Sequence, residues 1–372
     1  MHTSKSTRSR LVLSLLILLI AAEAVFVFSQ YQKFVSERES NHKDWLGRPA
    51  LLDLDDMWVL VYRKARSHGL DPQSSLHIRF SKDQGKSWTK ENMFLNGHRV
   101  NGFPIVPHPP KENTFDLVDV SEGELVKTPN GTLLLLVREE GTPHNGTYVW
   151  RSRDKGANWE EEEKINSDNT LLMGGQVVNV GNDLYGTFWV DENADYDPPF
   201  RTTLYRSSDD GISWAHVSDV TLNGTDESAL MYLGGSEFLV VMGDDSKGEK
   251  TYLRRSFDLG KTWGMLQDAT SIFGALQRPK LQLFADEPNR LYLYGRNQLG
   301  EVDDYTILYY SNDKGATWSN GFYPDTTSYV DTGYATLLKR SDDTFYMMSY
   351  GGNSEKADIK RYSFSKSELE KP

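Results

Sequence analysis

The sequence predicts an all-β protein, a six-bladed β-propeller of four-stranded blades, and three observations carry this prediction. A nearly identical eight-residue segment ending on tryptophan occurs five times along the 372 residues. Its copies recur about every 50 residues, a period typical of repeat architectures. Short apolar strands separated by turn residues lie between the copies, and no helical periodicity of any length appears outside the N-terminal segment.

The repeated segment, which we name the box, keeps Ser, Asp, Gly and Trp at its first, third, fifth and eighth places. The five boxes are SKDQGKSW (81–88), SRDKGANW (152–159), SSDDGISW (207–214), SFDLGKTW (256–263) and SNDKGATW (311–318). Ser and Asp can hydrogen-bond the amides of a turn, Gly accepts a positive φ, and Trp supplies a large apolar side chain. We therefore predict that each box turns the chain between the third and fourth strands of a blade, at the propeller rim, with its Trp in the seam between blades.

Six repeat units can be read along the chain. The second, for example, reads GELVKTPNGTLLLLVRE and then TYVWRSRDKGANW, which gives two strands joined by a turn and a third strand that runs into the box. The sixth unit, ATLLKRSDDTFYMMSY and then DIKRYSFS, has no box. The aspartates of the first two boxes are 71 residues apart, whereas the later steps are 49 to 55, so we predict an insertion at 90–116 that covers one face as a loop.

Residues 1–29 are predicted to be a targeting segment outside the fold. KSTRSR (5–10) is basic, and a mostly apolar run follows over 11–29. The segment is either a signal peptide cleaved near AEA (22–24) or an uncleaved membrane anchor, and both place the following domain outside the cytoplasm, secreted or membrane-anchored. Residues 30–46 are interpreted as a polar stalk. The Asn-Gly-Thr sequons at Asn130, Asn145 and Asn223 are either glycan acceptors or turn residues.

The composition limits the classes of partner and chemistry. The formal net charge of −12 argues against nucleic acid and anionic membrane surfaces as partners, although a locally basic pocket remains compatible with a small anion. The absence of cysteine excludes disulfides, thiol catalysis and cysteine-based metal sites. The histidines show no metal-ligand spacing and no Gly-rich phosphate loop is present, so we predict neither a metal nor a cofactor.

The six strands that begin the units can be aligned on the pattern x-x-x-Leu or Val. They read RPAL (48–51), EGEL (122–125), GQVV (175–178), ESAL (227–230), RPKL (278–281) and YATL (334–337). In a propeller these strands start near the axis, so their first residues are predicted to point into one central cavity. The leading residues are mostly polar, which a purely structural propeller does not require, and they are Arg48, Glu122, Gly175 with Gln176, Glu227, Arg278 and Tyr334.

At this point the residues resemble a known family. The boxes resemble the Asp-box, or BNR repeat, of the sialidase (neuraminidase) superfamily of six-bladed propellers. The resemblance covers residues 47–366 and leaves 367–372 as a C-terminal tail. Because Asp-boxes also occur in propellers that are not enzymes, the boxes indicate the fold, and the function has to be argued from the site.

The strand starts also resemble the sialidase site. The resemblance implies that Tyr334 is the nucleophile, that Glu227 is its base, and that Arg48 and Arg278 bind a substrate carboxylate. DTGYATLLKRSDDTFYMMSY is close to the tyrosine-bearing unit of bacterial sialidase-like proteins. A neutral phenol can act as nucleophile on an anionic sugar, whereas the sugar would repel a carboxylate nucleophile. Arginines can bind the sugar carboxylate with two parallel hydrogen bonds.

The resemblance implies an acid/base residue about two dozen positions after the first arginine. Asp71 is the nearest match, and His68 beside it is a second candidate. The family also carries a carboxylate-binding arginine at the place of LVVMGDD (239–245), where this sequence has none. Candidate substitutes that end equivalent strands are Arg296, Arg63 and Arg138. Gln176 and Glu122 are further candidate substrate contacts.

The sequence therefore predicts an exo-acting glycoside hydrolase that removes a terminal, acidic sugar from a glycan. A propeller that binds glycans without catalysis is the alternative, and the missing arginine favours it. A third hypothesis is a structural or receptor propeller, which predicts a central cavity filled by apolar side chains.

Overall fold

The computed structural model describes ten stretches of the chain. They cover residues 44–71, 74–89, 92–95, 119–140, 145–166, 170–191, 200–222, 224–244, 250–298 and 304–371. The predicted targeting segment, nearly all of the stalk, most of the 90–116 insertion and Asn223 lie outside these residues. Within the described stretches, no helix is both long enough and apolar enough to cross a membrane.

The described residues form five β-sheets. The largest has seven strands in the order β20-β21-β22-β1-β2-β3-β4. Its strands are β1 Trp45–Asp53, β2 Trp58–Ala65, β3 Ser75–Ser81, β4 Asn92–Leu95, β20 Asp331–Lys339, β21 Phe345–Gly352 and β22 Ala357–Phe364.

Three of the other sheets have four strands and one has three. The second sheet holds β5 Asp119–Lys127, β6 Leu133–Glu140, β7 Gly146–Ser152 and β8 Glu160–Lys164. The third holds β9 Leu171–Val180, β10 Asp183–Val190, β11 Arg201–Ser207 and β12 Ala215–Asp219. The fourth holds β13 Ser228–Gly234, β14 Glu237–Asp244, β15 Lys250–Ser256 and β16 Gln267–Asp268. The fifth holds β17 Ala275–Leu283, β18 Leu291–Gln298 and β19 Asp304–Ser311.

The all-β propeller is found, but the predicted six separate blades of four strands are not. Five sheets form because Trp45 of β1 pairs in parallel with Ala357 of β22, which joins the last three strands to the first four. Trp45 is fully buried, so the fold begins before the predicted boundary at residue 47.

The first strands of the repeat units surround one central space. β1, β5, β9, β13, β17 and β20 each lie against the next, and β20 lies against β1, which closes the ring. Within each sheet the chain then runs outward through antiparallel neighbours. This arrangement explains the buried apolar run 133–137 of the middle strand β6, because each sheet packs face to face between two others.

The five boxes share one hydrogen-bonded turn. In the last box, the Ser311 hydroxyl accepts a hydrogen bond from the amide of Gly315 at 2.7 Å, and the carboxylate of Asp313 accepts one from the amide of Thr317 at 2.8 Å. The same bonds recur in the other four boxes. The residue before each box glycine and the glycine itself both have positive φ, which explains the requirement for glycine.

The box tryptophans lie in the seams between neighbouring units, as predicted. Trp159, for example, is buried in a cluster that joins β1–β3 to β5–β7. The other four pack against the clusters of their own seams, and they are Trp88, Trp214, Trp263 and Trp318. Four boxes connect the third and fourth strands of a unit, whereas the last follows β19, where the described chain continues without a named fourth strand.

Two short helices complete the described fold, α1 Thr270–Phe273 and α2 Lys366–Leu369. Helix α2 begins with a capping box, in which Ser365 and Glu368 each accept a hydrogen bond from the other's backbone amide. Leu369 is buried in the core beside β21 and β22, so the predicted C-terminal tail is partly packed into the fold.

Candidate active site

Three of the predicted strand-start residues have an unusual backbone conformation. Arg48, Arg278 and Tyr334 have φ of 53°, 47° and 47°, although a side chain disfavours the left-handed region. At each position the register with the neighbouring strand shifts, so each lies in a β-bulge. Bulges redirect side chains and are frequent next to active sites, and such strain persists only where the surroundings enforce it.

These residues meet in a central cavity, as the strand alignment predicts. The cavity has a volume of about 40 Å³ and opens to solvent, and five of the six first strands contribute to it. Its polar lining consists of Arg48, Glu122, Glu124, Arg278, Lys280 and Tyr334. The charged lining contradicts the hypothesis of a purely structural propeller, which predicts a central cavity filled by apolar side chains.

Arg278 is the charged centre of the site. Its Nη1 donates to Glu122 at 2.7 Å, its backbone amide donates to Glu227 Oε2 at 2.6 Å, and its Nε forms an ion pair with Glu227 Oε1. All three residues are buried. Burial lowers the pKa of Arg278, but the two carboxylates outweigh it and raise that pKa well above its ordinary value.

Two guanidinium groups lie over the ring of Tyr334. The Arg278 guanidinium carbon is 4.5 Å from the centre of the phenol ring, and that of Arg48 is 5.1 Å away. Arg48 is held by the Ser121 hydroxyl and carbonyl, the latter at 3.0 Å, and Arg138 donates to the same hydroxyl. The phenol ring therefore lies against two guanidinium groups that are themselves fixed by neighbouring residues.

Arg296 is a third guanidinium of this region. It donates to Gln277, and its Nη1 is 3.8 Å from carboxylate oxygens of both Asp304 and Asp331. Burial lowers the pKa of Arg296, whereas Tyr350, Tyr334 and Glu227 raise it, with a net increase above the ordinary value. Of the candidate substitutes for the missing family arginine, Arg296 has a charge that is coupled to both Tyr334 and Glu227.

His68 also lies beside Tyr334. Its Nδ1 is 2.7 Å from Asp331 Oδ2, and its ring meets the Tyr334 ring edge-on at 5.9 Å between centres. Tyr350 donates to the second Asp331 oxygen at 2.6 Å, and the Trp45 indole donates to Oδ2 at 3.0 Å. Burial lowers the pKa of His68 to about 4, partly opposed by Asp331.

Asp71, the predicted acid/base residue, is not brought to Tyr334 by any contact that the structure gives. Its Oδ1 accepts from the Arg66 side chain at 2.6 and 2.9 Å, and its Oδ2 accepts from the Arg66 amide at 2.6 Å. The carboxyl group is almost fully buried. A bidentate pair with arginine favours the ionised form, so this geometry ties the 66–71 loop together and does not suit a proton donor.

Arg63 and Gln176 are likewise engaged in the fold. Arg63 is fully buried and donates all five of its N–H bonds, to Asp119 and to the carbonyls of Val120, Ser67, His68 and Gly69. Gln176 forms two hydrogen bonds with the backbone of Leu281 across the axis, at 2.7 and 3.0 Å. We therefore assign structural roles to both, in place of the predicted substrate contacts.

The site contains residues that sequence reasoning missed. Ser121, Asp331 and Tyr350 join the predicted ones. Asp331 opens the DTGYATL segment, three residues before Tyr334, which was the one available signal. In the described residues, no group of three acidic or histidine side chains could hold a metal ion.

Comparison with known proteins shows the fold. No family model and no curated protein matches the sequence. A protein of unknown function from Dyadobacter fermentans is similar with a TM-score of 0.68 and 16% identity, over 90% of this chain and 98% of that one. The intramolecular trans-sialidase from Ruminococcus gnavus is similar with a TM-score of 0.66 and 12% identity, over 92% of this chain and 98% of that one.

The sialidase of Trypanosoma rangeli is also similar, with a TM-score of 0.61 and 14% identity. The match covers 88% of this chain and 55% of that longer protein. At such identities the likeness establishes a sialidase-like propeller fold, and the chemistry has to be argued from the site.

Proposed function

We propose that this protein is a sialidase-like exo-glycosidase that removes a terminal acidic sugar with Tyr334 as nucleophile. The observation that carries the proposal is the position of the Tyr334 phenol, which lies close to both the Arg278 and the Arg48 guanidiniums in the central cavity. Such a site combines a neutral nucleophile with cationic groups that attract and orient an anionic sugar.

The arginines supply the substrate specificity. Arg48 and Arg278 lie over the Tyr334 ring and the charge of Arg296 acts on Tyr334, and guanidiniums bind a carboxylate by charge-assisted hydrogen bonds. Arg296 takes the place of the arginine that the 239–245 strand lacks. Glu227 holds Arg278 against Tyr334, because both of its oxygens contact Arg278. Its predicted role as base for Tyr334 would first require release from that pair.

Similar structures support this proposal. The Trypanosoma rangeli sialidase has been captured with 2,3-difluorosialic acid as a covalent intermediate, and the Ruminococcus gnavus enzyme with oseltamivir carboxylate. Both are sialidase-type proteins of the same fold. We extend to this chain the substrate class, a carboxylate-bearing terminal sugar, and the covalent route.

The test is turnover by the full-length protein. It is incubated with a fluorogenic sialoside and with a panel of uronic-acid and neutral glycosides, beside Tyr334→Phe and the surface control Tyr323→Phe. Release of the acidic sugar that is lost only in Tyr334→Phe supports the proposal, as does a difluorosialic acid adduct found on Tyr334 by peptide mass spectrometry. Full turnover by Tyr334→Phe refutes the assignment of the nucleophile.

A glycan-binding propeller without catalysis is the second candidate. One observation favours it, because the carboxylates of Asp71 and Glu227 are both engaged by arginines. It predicts saturable binding of an acidic sugar by the folded protein without any product in the same panel.

We propose further that the seven-stranded sheet acts as two blades, which gives six in all, and that the boxes are Asp-boxes. The ring of six first strands and the single residue pair that joins β1 to β22 support the blade count. An experimental structure in which β1 and β22 pair along several residues would contradict it.

We also propose export of the propeller, either anchored by residues 11–29 or secreted after cleavage. The basic and then apolar N-terminal sequence supports this location. Cell fractionation together with N-terminal sequencing distinguishes the anchor from the cleaved form, and recovery of the uncleaved protein in the cytosol contradicts both.

A further inference from the structure

His68 is the most firmly positioned side chain beside Tyr334 that has no role in the proposed function so far. Its backbone amide donates to Ser354 at 2.8 Å, and its carbonyl accepts from Arg63 and Arg48, each at 3.3 Å. Its Nδ1 is 2.7 Å from Asp331. A histidine fixed at its backbone and at one ring nitrogen presents the other nitrogen in a defined direction.

That other nitrogen, Nε2, is available for chemistry. Asp331 is held as an acceptor by Tyr350 and by the Trp45 indole, so Nδ1 carries the proton of the His68–Asp331 hydrogen bond. Nε2 is then the unprotonated nitrogen of the neutral ring. The His68 side chain is 24% exposed, whereas the Asp331 side chain is 8% exposed. This arrangement of a base oriented by a buried carboxylate is the one that activates hydroxyl nucleophiles.

The other proton acceptors near Tyr334 are occupied. Both oxygens of Glu227 contact Arg278, and Asp71 is paired with Arg66. His68 is the remaining candidate, and its ring meets the Tyr334 ring edge-on. We propose that Tyr334, His68 and Asp331 form a proton relay in which His68 is a catalytic residue and Asp331 is a positioning residue. The relay rests on the proposed glycosidase function.

The steps balance without any further reactant. Nε2 of His68 takes the phenolic proton while the Tyr334 oxygen bonds to the anomeric carbon and the bond from that carbon to the leaving oxygen breaks. His68 then gives the proton to the leaving oxygen, and a sugar bound to tyrosine remains. Water reverses these steps, because His68 takes a proton from water while the water oxygen bonds to the anomeric carbon and the bond from that carbon to the Tyr334 oxygen breaks. His68 then returns the proton to the Tyr334 oxygen.

The electrostatic surroundings agree with a base that is neutral at physiological pH. The groups that face His68 from the neighbouring strands are Asp331, Arg48, Arg296, Tyr334 and Tyr350. Burial and the two arginines lower the pKa of the imidazole, and Asp331 raises it, with a result of about 4. The carboxylate thus stabilises the imidazolium that forms during the reaction.

The test compares His68→Gln with wild type on the glycoside that wild type hydrolyses best, prepared with an aryl and with an alkyl leaving group. A loss of about 10²–10⁴ in kcat is expected on the alkyl substrate, with KM nearly unchanged, since general acid–base catalysis contributes this much. The loss should be at least about tenfold smaller with the aryl group, which leaves without protonation. His216→Gln is the matched control, because its ring also pairs with an aspartate, Asp219, at 3.2 Å on an exposed strand.

Each outcome decides the question. Wild-type kcat in folded His68→Gln, or an equal loss on both leaving groups, overturns the relay while the glycosidase function stands. Absence of turnover by wild type on the whole panel overturns both. If His68→Gln does not reach the wild-type melting temperature, His68→Asn replaces it, because its amide can keep the hydrogen bond to Asp331 but has nothing at the position of Nε2.

Asp331→Asn tests the positioning residue. Loss of the carboxylate removes the group that raises the pKa of His68, so the acidic limb of the kcat/KM profile should move to lower pH while kcat falls. A purely structural role of Asp331 would lower the amount of folded enzyme without moving that limb, and this result would refute its part in the relay.

Discussion

The buried ion-pair network around Arg278 allows a quantitative test of the site. In Arg278→Leu, Glu122 loses its ion pair at 2.7 Å and keeps Arg138 at 3.4 Å, while Glu227 loses its ion pair with the side chain and keeps only the hydrogen bond from the backbone amide of residue 278. Removing one partner of a buried pair costs about 3–5 kcal/mol. We expect the free energy of unfolding to fall by that amount at neutral pH.

The assay is urea unfolding followed by tryptophan fluorescence and circular dichroism, with coincident transitions as the check on a single cooperative step. Arg206→Leu is the matched control, because its ion pair with Asp183 has a similar distance of 2.7 Å but is partly exposed. The control should lose no more than about 1 kcal/mol.

A triple variant separates the charge effect from lost packing. Arg278→Leu combined with Glu122→Gln and Glu227→Gln removes the uncompensated charges and should recover at least about 1 kcal/mol of the loss. The reasoning is wrong if Arg278→Leu is as stable as the Arg206→Leu control, or if the triple variant is less stable than Arg278→Leu alone.

Three further predictions concern the turns, the pH dependence and the substrate. Gly181 has a positive φ and open space around it, so Gly181→Ala should lower the stability of the fold by about 1–2 kcal/mol. Gly260→Ala should lower it by at least about 1 kcal/mol more, because the added Cβ would overlap a neighbouring leucine. Equal losses of stability for the two variants in thermal unfolding would contradict this prediction. The pKa of His68 is lowered in the folded protein, so its contribution to the free energy of unfolding is complete above pH 6.5 and is lost as the pH falls toward 4, by about 3 kcal/mol. The difference in the free energy of unfolding between wild type and His68→Gln, measured across this pH range, gives this contribution. A difference that does not change with pH refutes it. Arg296→Gln should weaken calorimetric binding of an acidic sugar about 10- to 100-fold, whereas Arg206→Gln should leave it unchanged; unchanged binding in both excludes Arg296 from the carboxylate site.

The sequence alone determined the repeat architecture and the register of the strand starts. Each box contains the residues that form its own turn, so its sequence does not depend on distant parts of the chain. The five copies at similar spacing therefore identified the repeat units from the sequence alone. The same repetition aligned Arg48, Glu122, Arg278 and Tyr334 at equivalent places, and equivalent places in a ring point to one axis.

Tertiary structure decided what the sequence spacing could not. Residues 45 and 357 pair and join the two ends of the chain into one sheet, which no local pattern marks. The roles of Asp71, Arg63 and Gln176 changed because their hydrogen-bond partners include backbone groups and a neighbouring arginine that no motif identifies. His68 and Asp331 are 263 positions apart, and only the closed ring of strands brings the imidazole to the carboxylate. A side chain's chemistry depends on its neighbours in space, whereas a repeat depends on neighbours in the chain.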